Sequence, residues 1–142
     1  MKTVTRLAAC NCFAARQAAR HLTKLYERHL SRAGLTSAQF SILVAVDEAE
    51  EMTIAELASA LVMDRTTLLR ALKPLQREEL LRSRPSGDDA RQLVYALSAA
   101  GERRLKQAIP LWAKAQSELE ADVGAGAAAR IRRDLLALAK PP

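Results

Sequence analysis

Cysteine is scarce in this chain, and the only two, Cys10 and Cys12, stand one residue apart. They are too few and too close for a disulfide framework, and no second pair completes a zinc site, so no metal or cofactor is expected. Long apolar runs are also missing. Nothing approaches the roughly 18 uninterrupted apolar residues of a membrane span, and MKTVTRLAAC lacks the apolar core of a secretory signal. There are no internal repeats, and no low-complexity linker beyond an alanine-rich bend at residues 123–129. These absences argue against a secreted, metal-held or membrane-spanning protein and predict a soluble, cytoplasmic one with a single core.

What is present fits that class: 142 residues, 49% apolar and 27% charged. A net charge of +6 permits nucleic-acid binding without establishing it. Its distribution is more telling. Residues 1–32 carry seven Lys/Arg against one acid, residues 33–52 none against four, residues 53–98 seven against six, and residues 99–142 eight against five. The middle of the chain is nearly neutral, so a DNA-binding role has to rest on where its charges point.

The spacing predicts a first helix from about residue 8 to residue 32, with Phe13, Leu22, Leu25, Tyr26 and Leu30 on its apolar side and Gly34 ending it. Thr36 with Gln39 forms a capping box, stapled by Leu35 and Phe40, and opens a helix through SAQFSILVAVDEA. The device recurs at MTIAELASAL, where Thr53 caps, Glu56 reaches back, and Ile54, Leu57, Ala58 and Leu61 make a core face. Only Val62 and Met63 then precede Asp64, a suitable cap for MDRTTLLRALKPL. Helices joined by so short a turn cross steeply, as in a helix-turn-helix.

At about 100° per residue, Leu68, Leu72 and Leu75 share one side of that last helix, while Thr66, Arg70, Lys73 and Arg77 share the other. A charged stripe alone is usually just solvated. The second helix of a helix-turn-helix, however, offers its N-terminal half to base edges. The segments LLRSRPS and RQLVYALS flank SGDDA and read as a hairpin, which completes a winged helix with Arg84 and Arg91 near the wing tip. Ser98 can cap a long helix in which Pro110 should produce a bend, and a last helix places Ile131, Leu135 and Leu138 on one side. The fold class expected is mainly α with a small β-hairpin wing. Residues 1–35 and 99–142 would form dimerisation helices around a DNA-binding lobe at 36–98. A two-fold homodimer would bury the outer apolar stripes; packing within one chain is the alternative.

The stretches GLTSAQFSILVAV, LASALVMDRTTLLRALKPLQREELLRS and DDARQLVYALSAAG, the last with Asp89, Arg91, Leu97 and Gly101 at matching places, resemble the MarR family of bacterial transcription regulators. The resemblance covers nearly the whole chain. It implies a homodimeric winged-helix regulator, most often a repressor, that binds double-stranded DNA at a pseudo-palindromic operator and is released by a small effector. By match, Thr66, Thr67 and Arg70 would probe the major groove and Arg91 the minor groove, with Asp89 orienting Arg91. The full set of expected DNA-contacting residues is Arg65, Thr66, Thr67, Arg70, Lys73, Arg77, Arg84, Asp89 and Arg91. Pro74 is less usual for the family and predicts a slight bend after the reading half of the helix.

ACNCFAARQAARHLTKLY resembles the organic-hydroperoxide-sensing branch of the family, where a thiolate is oxidised and held by tyrosines. Cys12 matches the reactive position and Tyr26 one tyrosine, but Arg16 replaces the other. An arginine one turn away would stabilise a thiolate, whereas the missing tyrosine removes a hydrogen-bonding partner. Cys10 and Cys12, two apart on one helix, would point away from each other, so a bridge within the chain would need local unfolding; one between chains stays open. A buried, inert thiol is the plain alternative. The other trigger is the one the family resemblance implies, a small aromatic or amphipathic acid bound where the first, second and fifth helices meet the winged-helix lobe, with Arg16, His21, Tyr26, His29 and Trp112 as candidate lining. Two further classes are open to the same residues. A thiol hydrolase using Cys12 with His21 or His29 lacks a glycine-rich oxyanion turn, and no enzyme is expected. A protein-interaction module would use the same fold without reading DNA sequence.

Overall fold

Side-chain caps fix where the central helices begin. In a computed structural model, which describes residues 5–140, the Thr36 hydroxyl accepts from the Gln39 amide at 3.2 Å while Gln39 Oε1 accepts from the Thr36 amide at 3.0 Å. This opens α3 (Ser37–Ala49). The same box at Thr53 and Glu56 opens α4 (Ile54–Leu61), and the Asp64 carboxylate, accepting from the Thr67 amide at 2.8 Å, opens α5 (Arg65–Arg77). Between α4 and α5 Val62 takes a left-handed φ of 51°, unusual for a β-branched residue, which is how the connection stays so short.

The N-terminal segment departs from the expected single helix. A turn, α1 (Thr5–Ala8), precedes α2 (Asn11–Leu30), and a 3-10 turn at Ser31–Ala33 leads to Gly34, whose φ of 69° ends it. The break lies at Cys10. Its backbone is extended, with φ −90° and ψ 114°, and its sulfur accepts from the Phe13 amide, so Cys10 caps α2 and does not belong to it. The residues at the two outermost edges of the expected lobes, 1–4 and 141–142, lie outside the described residues.

The hairpin is present as β2 (Leu81–Pro85) and β3 (Leu93–Leu97), antiparallel with Arg84 opposite Val94. A third strand was not anticipated. β1 (Met52–Thr53) pairs with β3 through Met52 opposite Tyr95, giving the order β1-β3-β2 and tying the wing to the start of α4. Around this sheet one core gathers Ile42, Leu43 and Val46 of α3, Leu57 of α4, Leu68, Leu72 and Leu75 of α5, and Leu105 and Ala108 of the long helix α6 (Ala99–Val123). Gly101 lets α6 approach the hairpin. A Cβ there would lie 2.0 Å from the Leu80 carbonyl oxygen, which explains a glycine in the first turn of a helix.

Neither proline ends its helix: α5 continues past Pro74 and α6 past Pro110. The Pro74 ring leaves the Arg70 carbonyl without its intrahelical donor. Helix α2 runs against α6, and α7 (Ala125–Leu138) folds back on α6. On α7 only Ala128 is buried; Ile131, Leu135, Leu136 and Leu138 stand exposed. The mainly helical winged-helix architecture expected from the sequence is the one observed.

Candidate nucleic-acid interface

The surface that could meet a nucleic acid is built from α5 outward. Leu68, Leu72 and Leu75 are at most 1% exposed and fix the rotation of the helix, which leaves Thr66, Arg70, Lys73 and Arg77 all in solvent. These basic side chains divide into two groups. Arg70, Lys73 and Arg77 gather with Pro74 and Gln76 around an open cleft of about 510 Å³. Arg65, at the first position of the helix, instead faces the wing and shares a cleft of about 350 Å³ with Arg91, Gln92, Thr53 and Leu93.

At the N-terminus of α5 the Thr67 hydroxyl donates to Asp64 Oδ2 at 2.7 Å while its amide donates to Oδ1. Thr67 is therefore committed as a donor to the cap, and its hydroxyl offers only acceptor capacity outward. Thr66 has no such commitment. Those hydrogen bonds, from the Thr67 amide first and its hydroxyl second, hold the Asp64 carboxyl below the usual carboxylate range.

The wing splits the two arginines predicted for it. Arg91 stands in solvent near the tip, its side chain 95% exposed, with Asp89 Oδ1 3.6 Å from its Nε and accepting from its backbone amide at 3.0 Å. Asp89 thus holds the backbone amide of Arg91. Arg84 differs. Its guanidinium is engaged by Glu51 through Nε to Oε1 at 3.0 Å and Nη2 to Oε2 at 2.5 Å, a two-point ion pair that holds it against the start of β1. This pair ties the wing to the body and competes with any contact of Arg84 to DNA. Glu51 was missed because 33 residues separate it from Arg84 and no local pattern joins them.

Within one chain the residues expected at a trigger lie apart. Cys12 is exposed and shares an open cleft of about 390 Å³ with Cys10, Phe13, Arg16 and Arg20. Tyr26 lies fourteen residues along the same helix, about 21 Å away at roughly 1.5 Å per residue, so the two do not meet within one chain. The Tyr26 hydroxyl donates to Gln116 of α6, and burial raises its pKa, with the positive charge of Arg132 opposing. His29 Nε2 lies 2.7 Å from Glu118 Oε2, which also places it in the α2 to α6 contact and not in a ligand site. That histidine and then Arg28 hold the Glu118 carboxyl below its ordinary value. Trp112 borders a different, apolar cleft, stacked on Phe40.

The pattern of a winged helix with an exposed basic helix has close counterparts. Residues 35–93 match the model of the MarR family. The M. tuberculosis transcriptional regulator MosR, solved in complex with DNA, is 40% identical over 91% of this chain and 92% of its own, with a TM-score of 0.80. The chain belongs to the MarR family of transcriptional regulators. The organic hydroperoxide resistance transcriptional regulator of Bacillus subtilis is 26% identical to this family member over 100 residues, 70% of this chain and 68% of that one. An E. coli MarR mutant complexed with operator DNA shares the fold, with a TM-score of 0.79 at 24% identity, covering 88% of this chain and 90% of that one. No described helix of this MarR-family chain is long and apolar enough to cross a membrane.

Proposed function

We propose that this MarR-family regulator acts in the cytoplasm as a homodimer, most simply as a repressor, placing one α5 in each of two successive major grooves of a pseudo-palindromic operator. The observation that carries this is the split face of α5: a leucine row at most 1% exposed beneath an outer row of Thr66, Arg70, Lys73 and Arg77 in solvent. A helix held this rigidly from below presents its polar side chains at fixed positions, which base reading requires. Thr66 and Arg70 read base edges, and Thr67 accepts a hydrogen bond from a base or a water. Lys73 and Arg77, further along the helix, contact phosphate. Arg65 and Arg91 straddle the cleft between α5 and the wing, where a phosphate backbone would pass as Arg91 enters the minor groove. MosR, a 40% identical relative, was solved with DNA bound, which supports the same partner here.

In this reading residues 36–98 are the DNA-binding lobe, and residues 1–35 and 99–142 form the dimer interface. The exposed row Ile131, Leu135 and Leu138 on α7 supports it, because a second copy is the simplest cover for a row of that kind. A small effector releases the DNA. The test is binding of the full-length protein to its own upstream DNA and to a scrambled duplex, both at one stated salt concentration. The upstream DNA is expected to bind about 10³-fold or more tighter. Equal binding would leave only a protein-interaction module.

One observation favours a thiol trigger as a second reading. Cys12 is exposed beside Arg16 and Arg20 in one cleft, where a thiolate would find positive charge. An organic hydroperoxide would give the sulfenic acid and the corresponding alcohol. Cys10 is the cap of α2 and not its neighbour on a helical turn, so the orientation expected to keep the two thiols apart does not apply. Treatment with cumene hydroperoxide should release DNA from the wild type and leave Cys12→Ser bound; release from both, or from neither, contradicts the thiol trigger.

A further inference from the structure

The cleft between α3 and α6 has no part in DNA reading or thiol chemistry. It measures about 370 Å³, within the range of small-molecule sites, and Phe40, Val44, Leu105, Ile109 and Trp112 supply an apolar wall. Phe40 and Trp112 stack with ring centroids 6.3 Å apart and planes inclined by 21°. Trp112 keeps 37% of its surface exposed, so the aromatic pair is open to a visitor.

The charged groups on the cleft are all of one sign. Asp47 and Glu48 line it, and no Lys, Arg or His does. Among the described residues neither carboxylate makes an ion pair, whereas nearby Glu51 is taken by Arg84. Both carboxylates sit in the last turn of α3, where the helix dipole adds further negative potential; Arg82 shares a neighbouring cleft with Asp47, but with Glu50 and Glu102 as well, and forms no ion pair with Asp47. An aromatic acid, the effector that the family resemblance implies, would bring a third negative charge to this place. A cation would gain from both carboxylates and from the ring faces.

We propose that this cleft binds a small organic cation with an aromatic or aliphatic body, a quaternary or protonated amine, in preference to an aromatic acid. Its walls come from the two parts of the molecule that regulation has to couple. Helix α3 packs into the winged-helix core through Ile42, Leu43 and Val46, and α6 runs along α2. A ligand between them touches both. That consequence rests on the reading of the chain as an effector-controlled regulator, whereas the binding itself does not.

Trp112 is the sole tryptophan, so its fluorescence reports the cleft directly. The full-length protein is titrated with benzyltrimethylammonium and, separately, with cinnamate as an acid of similar size. A saturable change is expected with the cation, and binding of cinnamate about tenfold or more weaker. Combining Asp47→Asn with Glu48→Gln should weaken the cation about tenfold and narrow the gap to cinnamate, with the unfolding midpoint unchanged. Cinnamate binding as tightly as the cation in the wild type, which needs no variant, overturns the proposal. So does an emission change that follows protein concentration and ignores both probes, since a second copy then fills the cleft. DNA binding by the probe-free protein is measured apart, so failure of the regulator reading and failure of the cation site are told apart.

Discussion

Helices α5 and α7 carry nearly the same apolar pattern and meet opposite fates. In α5, Leu68, Leu72 and Leu75 are 0%, 1% and 1% exposed; in α7, Ile131, Leu135 and Leu138 are 49%, 41% and 72% exposed. Periodicity therefore says that a helix has an apolar face, and only the packing says whether this chain covers it. In α5 the face is satisfied from within, which frees the polar side for a partner of another kind. In α7 the apolar side itself faces outward, where a second copy would cover it.

The strongest way to break the contrast is to charge the exposed row. If a second copy covers this row, Leu135→Glu with Leu138→Glu should give a monomer in sedimentation where the wild type is a dimer, while circular dichroism stays helical. Loss of the linked half-sites should then weaken upstream-DNA binding about 10²–10⁴-fold. A double variant that remains dimeric would contradict the role given to α7.

Truncations sharpen the same comparison. Leu72→Ala removes a side chain 1% exposed and should cost about 2–5 kcal/mol in urea unfolding. Leu136→Ala, at 69% exposure, should stay within about 0.5 kcal/mol. Similar costs at the two sites would mean that the burial contrast has been misread.

On the polar side of α5, Arg77→Ala should weaken upstream and scrambled DNA alike and reduce the salt slope by about 1. An unchanged slope would remove Arg77 from the phosphate contacts. The smallest effect concerns the start of α5. Because Asp64 titrates lower in the folded chain than in the unfolded one, its contribution is present above the ordinary carboxylate pKa of about 3.9 and is lost as pH falls through the lower folded value. The wild-type unfolding midpoint should therefore drop more steeply below about pH 4 than that of Asp64→Asn, whose amide caps without titrating. Parallel curves would mean that the cap carries no pH dependence.

Local signals explain what could be read in advance. The boxes at Thr36–Gln39 and Thr53–Glu56, the Asp64 cap and the leucine phase of α5 all act within a turn or two, and each stands where the sequence put it. What escaped is non-local or unusual. β1 consists of only two residues, one of them already the cap of α4, and its partner Tyr95 lies far along the chain. Glu51 captures Arg84 only through the tertiary fold. Cysteine seldom serves as a helix cap, so the break at Cys10 left no recognisable mark. Asp47 and Glu48 registered as a charge imbalance, but the rings they accompany are brought together by packing between α3 and α6.

The most direct test of base reading by α5 is Arg70→Ala, titrated against upstream and scrambled DNA at the same salt concentration. Loss of about 1–3 kcal/mol on the upstream sequence, with little change on the scrambled one, is the predicted result. Equal loss on both would contradict it and reduce Arg70 to one more phosphate contact.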